Sequence, residues 1–70
     1  MREWLKKARE DSGLTMKTIA DKLGVSESYY CAIENGTRQK KMDIVLASGL
    51  SAALGVPLAV IVKNEGNEDK

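Results

Sequence analysis

Apolar residues recur along this chain at the three- and four-residue spacing of α-helices. From about Arg2 to Ser12, Trp4, Leu5, Ala8 and the stem of Arg9 share one side, and Gly13 supplies a stop. Met16, Ile19, Ala20 and Leu23 fall at i, i+3, i+4 and i+7, which predicts a second amphipathic helix over 16–23. Thr15 is placed to cap it, Leu14 and Ile19 to staple the cap, and Gly24 to end it in a left-handed turn. Two residues later Ser26 caps a third helix, 27–34, with Val25 and Tyr30 in the staple positions. Tyr30 and Ile33 of that helix point inward, while Glu27, Ser28, Tyr29 and Ala32 lie toward the other side.

Asn35-Gly36 closes the third helix, and Thr37-Arg38-Gln39-Lys40-Lys41 follows as a basic loop. A fourth helix is expected over 43–54, with Gly55 as its stop. Pro57 suits the first turn of a short last segment, 57–62. Its Leu58-Ala59-Val60-Ile61-Val62 is β-branched enough to be a strand instead of a helix. Residues 64–70 carry little to bury and read as a disordered polar tail behind a domain of residues 1–63. The expected class is all-α, with Trp4, Leu5, Ile19, Leu23, Tyr30, Ile33, Val45, Leu46, Leu50 and Leu54 in one core.

Composition narrows the chemistry. Seventy residues bury only about 60% of their unfolded surface, so such a domain needs help from a disulfide, a metal or a second copy. Cys31 is the single cysteine and there is no histidine, so neither an internal disulfide nor an ordinary zinc site is expected. Cys31 reads as a half-buried filler and not as a redox sensor. No apolar run approaches the roughly 18 residues of a membrane span. Met1-Arg2-Glu3-Trp4-Leu5-Lys6-Lys7 is too charged for a signal peptide, so a cytoplasmic place and no membrane partner are expected. The net charge of +1 conceals an asymmetry. Residues 1–41 hold nine Lys/Arg against six Asp/Glu, a net of +3; residues 42–70 hold two against four, a net of −2. Only the first part suits a polyanion.

Two short helices joined by a tight glycine turn make a helix-turn-helix, in which the second helix enters the DNA major groove. By itself that pattern is common in all-helical domains. Here the segment Gly13-Leu14-Thr15-Met16-Lys17-Thr18-Ile19-Ala20-Asp21-Lys22-Leu23-Gly24-Val25-Ser26 resembles the core of the phage-repressor (Cro-like, lambda-repressor-like) family. Ile33-Glu34-Asn35-Gly36-Thr37-Arg38, Leu5-Lys6-Lys7-Ala8-Arg9 and Leu54-Gly55-Val56 match the same family, so the likeness covers about residues 2–62.

The resemblance implies a five-helix DNA-binding domain that acts on double-stranded DNA, as a repressor, and needs no cofactor. It places Glu27, Ser28 and Ala32 where relatives read bases, with Tyr29 beside them. It places Asn35, Arg38 and Lys17 where relatives hold phosphates, and Lys40 and Lys41 add charge there in place of the usual proline. Arg9 and Glu34 match a structural ion pair. Met16 departs from the glutamine common in relatives, and Glu27 accepts from a cytosine amine but repels phosphates. The apolar Val56, Leu58, Ile61 and Val62 are the expected contacts of a homodimer on an inverted repeat. An enzyme is not expected, because there is no histidine and little volume for a pocket. The competing reading keeps the fold as a protein-interaction module, such as an antitoxin or antirepressor partner.

Overall fold

Three short polar side chains start three of the helices in the computed structural model, which describes residues 1–68. Thr15 accepts from the Thr18 N–H at 3.1 Å, Ser26 from the Tyr29 N–H at 3.1 Å, and Asp43 from the Leu46 N–H at 2.7 Å. Each satisfies a donor that a helix start leaves unpaired. The elements are α1 (Glu3–Asp11), α2 (Met16–Leu23), α3 (Glu27–Asn35), α4 (Ile44–Leu54) and α5 (Leu58–Glu68). The described residues are all-α, as expected, and none of their helices is long and apolar enough to cross a membrane.

The junction between α2 and α3 is set by Gly24. Its φ of 75° lies in the left-handed region, and the Val25 N–H turns back to the Ala20 carbonyl at 3.0 Å. A side chain at this position would strain the backbone, so the sharp redirection of the chain needs glycine. α2 packs on α3 and on α4, α4 packs on α5, and α1 meets α3. The α2–α4 approach is close enough that a Cβ on Gly49 would stand 3.0 Å from a Leu23 methyl.

Leu5, Ile19, Tyr30, Ile33, Leu50 and Ile61 are fully buried, and Ala20, Ala47 and Leu54 nearly so. Burying each large aliphatic side chain contributes roughly 1.5–3 kcal/mol. Trp4, Leu23 and Leu46 pack half-buried on the edge of this cluster. Val45 does not join the expected core; it is 78% exposed. The register of α4 turns Ala47, Leu50 and Leu54 inward, which leaves Ile44 and Val45 of its first turn outside. Ile61, expected at a dimer surface, is instead core. The last segment is a helix, and it runs on to Glu68 through residues expected to be a disordered tail.

The physical reason for that extension is Glu65. Its carboxylate receives Arg2 Nε at 2.8 Å, Arg2 Nη2 at 3.1 Å and Trp4 Nε1 at 3.0 Å. Charge-assisted bonds of this kind are about twice as strong as neutral ones. They hold the end of α5 against the start of α1, although Gly66 and a polar sequence give it little helical preference of its own.

Candidate nucleic-acid interface

The second helix of the pair, α3, is fixed by a buried polar triad. Glu34 is fully buried, with Arg9 Nε at 2.9 Å and Arg9 Nη2 at 3.4 Å from its two oxygens. The Tyr30 hydroxyl donates to the same carboxylate at 2.7 Å, and Arg9 Nη1 reaches the Leu14 carbonyl at 3.1 Å. A buried carboxylate without partners would cost several kcal/mol, and here each oxygen has at least one donor. The bond to Glu34 raises the pKa of Arg9 and so holds the guanidinium charged. Burial, then the Glu34 bond, push the Tyr30 phenol well above its ordinary value of 10.0. The triad joins α1 to α3 and to the entry of α2, so it sets the angle at which α3 is presented.

The face that α3 presents carries Glu27 and Ser28 exposed at its first turn, with Tyr29 and Ala32 half-buried. Glu27 also lies in the first turn of α3, where a carboxylate is favourable beside the helix N-terminus. Lys17 is exposed in the first turn of α2, and Met16 beside it is half-buried and packs against the core. After α3, Thr37 Oγ1 and the N–H groups of Thr37 and Arg38 all converge on the Ala32 carbonyl at 3.2, 3.0 and 3.2 Å. The loop is thereby folded back on α3, with Asn35, Arg38, Lys40 and Lys41 exposed. The Asn35 amide donates to Cys31 Sγ at 3.5 Å, which engages one of its donors.

The loop has an organiser that sequence reasoning missed. Arg2 is buried, and besides Glu65 its guanidinium donates to the carbonyls of Ile33, Arg38, Gln39 and Lys40. Its backbone N–H donates to the Glu34 carbonyl at 2.8 Å. Arg2 thus satisfies the end of α3 and gathers three successive carbonyls of the basic segment, turning the oxygens inward. Gln39 was missed as well. It is the one non-glycine residue with positive φ among those described, at 54°, a conformation that costs about 1–2 kcal/mol. The signal available was Trp4, whose indole N–H needs an acceptor when packed; nothing in the chain's local pattern points to Glu65 as that acceptor.

Two capped helices meet at a left-handed glycine, and the second bears exposed polar residues beside a row of cations, which is the geometry of a helix-turn-helix. The sequence of residues 5–61 matches the helix-turn-helix family. The chain belongs to that family, in its Cro-like branch. This helix-turn-helix protein is 34% identical over 70 residues to a Bacillus subtilis protein named as the uncharacterized HTH-type transcriptional regulator YqaF, covering all of this chain and 90% of that one. It is 38% identical over 66 residues to another B. subtilis protein, the uncharacterized HTH-type transcriptional regulator YqaE. That match spans 94% of this chain and 55% of the longer relative.

Of the expected dimer contacts of this helix-turn-helix protein, Val62 is exposed at 57% while Val56 and Leu58 pack half-buried against the core. Val60 is exposed beside them, and Val62 shares a shallow groove with Met42, Ile44 and Ala47.

Proposed function

We propose that this chain regulates transcription by binding double-stranded DNA as a symmetric dimer, laying the start of α3 in the major groove. The observation that carries this reading is the Gly24 junction, which projects Glu27 and Ser28 from the body of the domain. In this arrangement Glu27, Ser28, Tyr29 and Ala32 read base edges. Lys17, Asn35, Arg38, Lys40 and Lys41 hold phosphates, which position the domain without carrying sequence information. Glu27 suits a cytosine amine, the donor that C presents in the major groove. The triad of Arg9, Tyr30 and Glu34 touches no DNA and fixes the helix that does.

One such domain brings only a few side chains to the bases, each good pairing giving on the order of 1–3 kcal/mol of discrimination. That falls short of the ratio needed to find one site among a genome's competitors. Two copies through α5 and the start of α4, using Val62, Val60 and Ile44 with Val56 and Leu58 at the rim, would read an inverted repeat with half-sites about 34 Å apart. Occupying a promoter this way represses it, and the expected place of action is the cytoplasm, on chromosomal or phage DNA. No cofactor is needed for any of these steps.

The test is a gel-shift titration on random duplex DNA at several salt concentrations. Binding that weakens steeply with salt supports the reading, because each neutralised phosphate releases a counterion. Binding that is absent at low salt would instead favour a protein-interaction module on the same fold.

A further inference from the structure

We propose that Gln39 is a positioning residue for base recognition, setting the Tyr29 hydroxyl as a hydrogen-bond donor to the edge of a base. The proposal rests on the DNA-binding reading above and adds to it a residue outside α3.

The Asp43 backbone N–H donates to Gln39 Oε1 at 3.3 Å, while the Asp43 carbonyl is taken by the Ala47 N–H at 3.0 Å. This fixes which end of the Gln39 amide faces α4, because the reversed amide would set donor against donor. Nε2 is then the end that meets the Tyr29 hydroxyl, at 3.2 Å. An amide N–H only donates, so the phenol oxygen accepts, and the single phenol proton stays free of that bond. The Tyr29 hydroxyl has no second partner among the described residues. The ring is half-buried and packs against the hydrophobic core, so its position is held by packing as well.

The backbone explains why this holds. Left-handed φ favours glycine, yet a glutamine stands here, in a conformation that persists only where its surroundings over-determine it. Arg2 donates to the Gln39 carbonyl, and Glu65 in turn fixes the guanidinium. A chain of hydrogen bonds therefore runs from α5 through Arg2 and Gln39 to Tyr29 on the recognition helix. A phenol donor in that place matches the acceptors that bases show in the major groove: guanine N7 and O6, adenine N7 and thymine O4.

Gln39→Gly and Gln39→Asn test this, since both fit the left-handed backbone and neither side chain reaches Tyr29. After selection of a preferred site by the wild-type protein, each variant is measured on that site and on single-base changes of it, with melting in parallel. The expected result is a melting temperature held or raised, an unchanged salt slope, and about tenfold less discrimination at one base pair per half-site. Tyr29→Phe loses discrimination at the same base pair, and the Tyr29→Phe, Gln39→Gly double variant loses no more than either alone. Wild-type discrimination in both Gln39 variants would overturn the proposal, as would additive losses in the double variant. Loss of stability with an equal loss on every duplex would also overturn it, and make Gln39 a brace for the loop. A wild-type protein without salt-dependent DNA binding would remove the parent reading itself, a result distinct from all of these.

Discussion

Arg2 and Glu65, sixty-three positions apart in sequence, form a two-pronged ion pair: Arg2 Nε lies 2.8 Å from one carboxylate oxygen and Nη2 3.1 Å from the other. The pair closes the two ends of the described chain on each other and leaves the remaining donors of Arg2 for the carbonyls of residues 33 and 38–40. Glu65→Ala should therefore destabilise the domain by about 2 kcal/mol, less than a fully buried pair because Glu65 retains some exposure. For a domain of this size that lowers the thermal midpoint by roughly 10 °C. Thermal melting by circular dichroism reads it directly. A midpoint unchanged by Glu65→Ala would mean that the end of α5 adds nothing to the fold.

The Arg9–Glu34–Tyr30 triad predicts a stability that depends on alkaline pH. The phenol of Tyr30 is pushed above its ordinary value in the folded state. Above about pH 10 the unfolded chain loses this proton while the folded one keeps it, so the unfolded state binds fewer protons and stability falls as pH rises. The expected slope from this one group is about 1.4 kcal/mol per pH unit, and none of that contribution is lost below about pH 10. Urea unfolding between about pH 8 and pH 11 should show the decline in wild type and a shallower one in Tyr30→Phe.

Arg9→Ala removes the charged partner of a fully buried carboxylate, at a cost of about 3 kcal/mol or more. DNA binding should fail only in step with folding. A variant that melts like wild type and no longer binds DNA would place Arg9 on the nucleic acid.

Arg38 and Lys40 are exposed on a loop whose backbone is held from inside by Arg2. Replacing both by alanine should leave stability unchanged and weaken binding to every duplex alike. The salt slope should drop by nearly one for each phosphate that is no longer neutralised. Gel shifts across a series of salt concentrations decide this, and an unchanged slope would take the loop out of the interface.

Much of this architecture was legible because it is local. Thr15, Ser26, Gly24 and Gly36 act within three or four residues of themselves, and the helices they bound fall within a residue of expectation. Val45 and Ile61 were misplaced for the opposite reason. Helical spacing allows a continuous apolar run such as Ile44-Val45-Leu46-Ala47 more than one inward face, and only packing against α2 and α5 chooses between them. The extension of α5 depends on Glu65 meeting Arg2 and Trp4, which no local pattern announces. At the candidate site, the exposed residues of α3 and the loop follow from periodicity and family likeness. Arg2 and Gln39 act through backbone carbonyls and a left-handed turn, features that leave no mark in the order of residue types.

The proposed dimer is open to a physical test of its own. Val62 is exposed and Ile61 is not, so Val62→Asp alters the proposed surface without burying a charge in the core. Sedimentation at micromolar concentration should show a dimer, on DNA if not free in solution, that Val62→Asp converts to monomer with its melting point kept. A monomer on DNA in both proteins would exclude this surface.

Sequence-specific recognition of duplex DNA by α3 is decided by selecting bound duplexes from a random pool and sequencing them. The expected outcome is enrichment of an inverted repeat whose half-sites are centred about 10 base pairs apart, with Glu27→Ala relaxing the preference at one position in each half. A pool that stays random through the selection, at salt low enough for phosphate binding to hold, would contradict recognition by this helix.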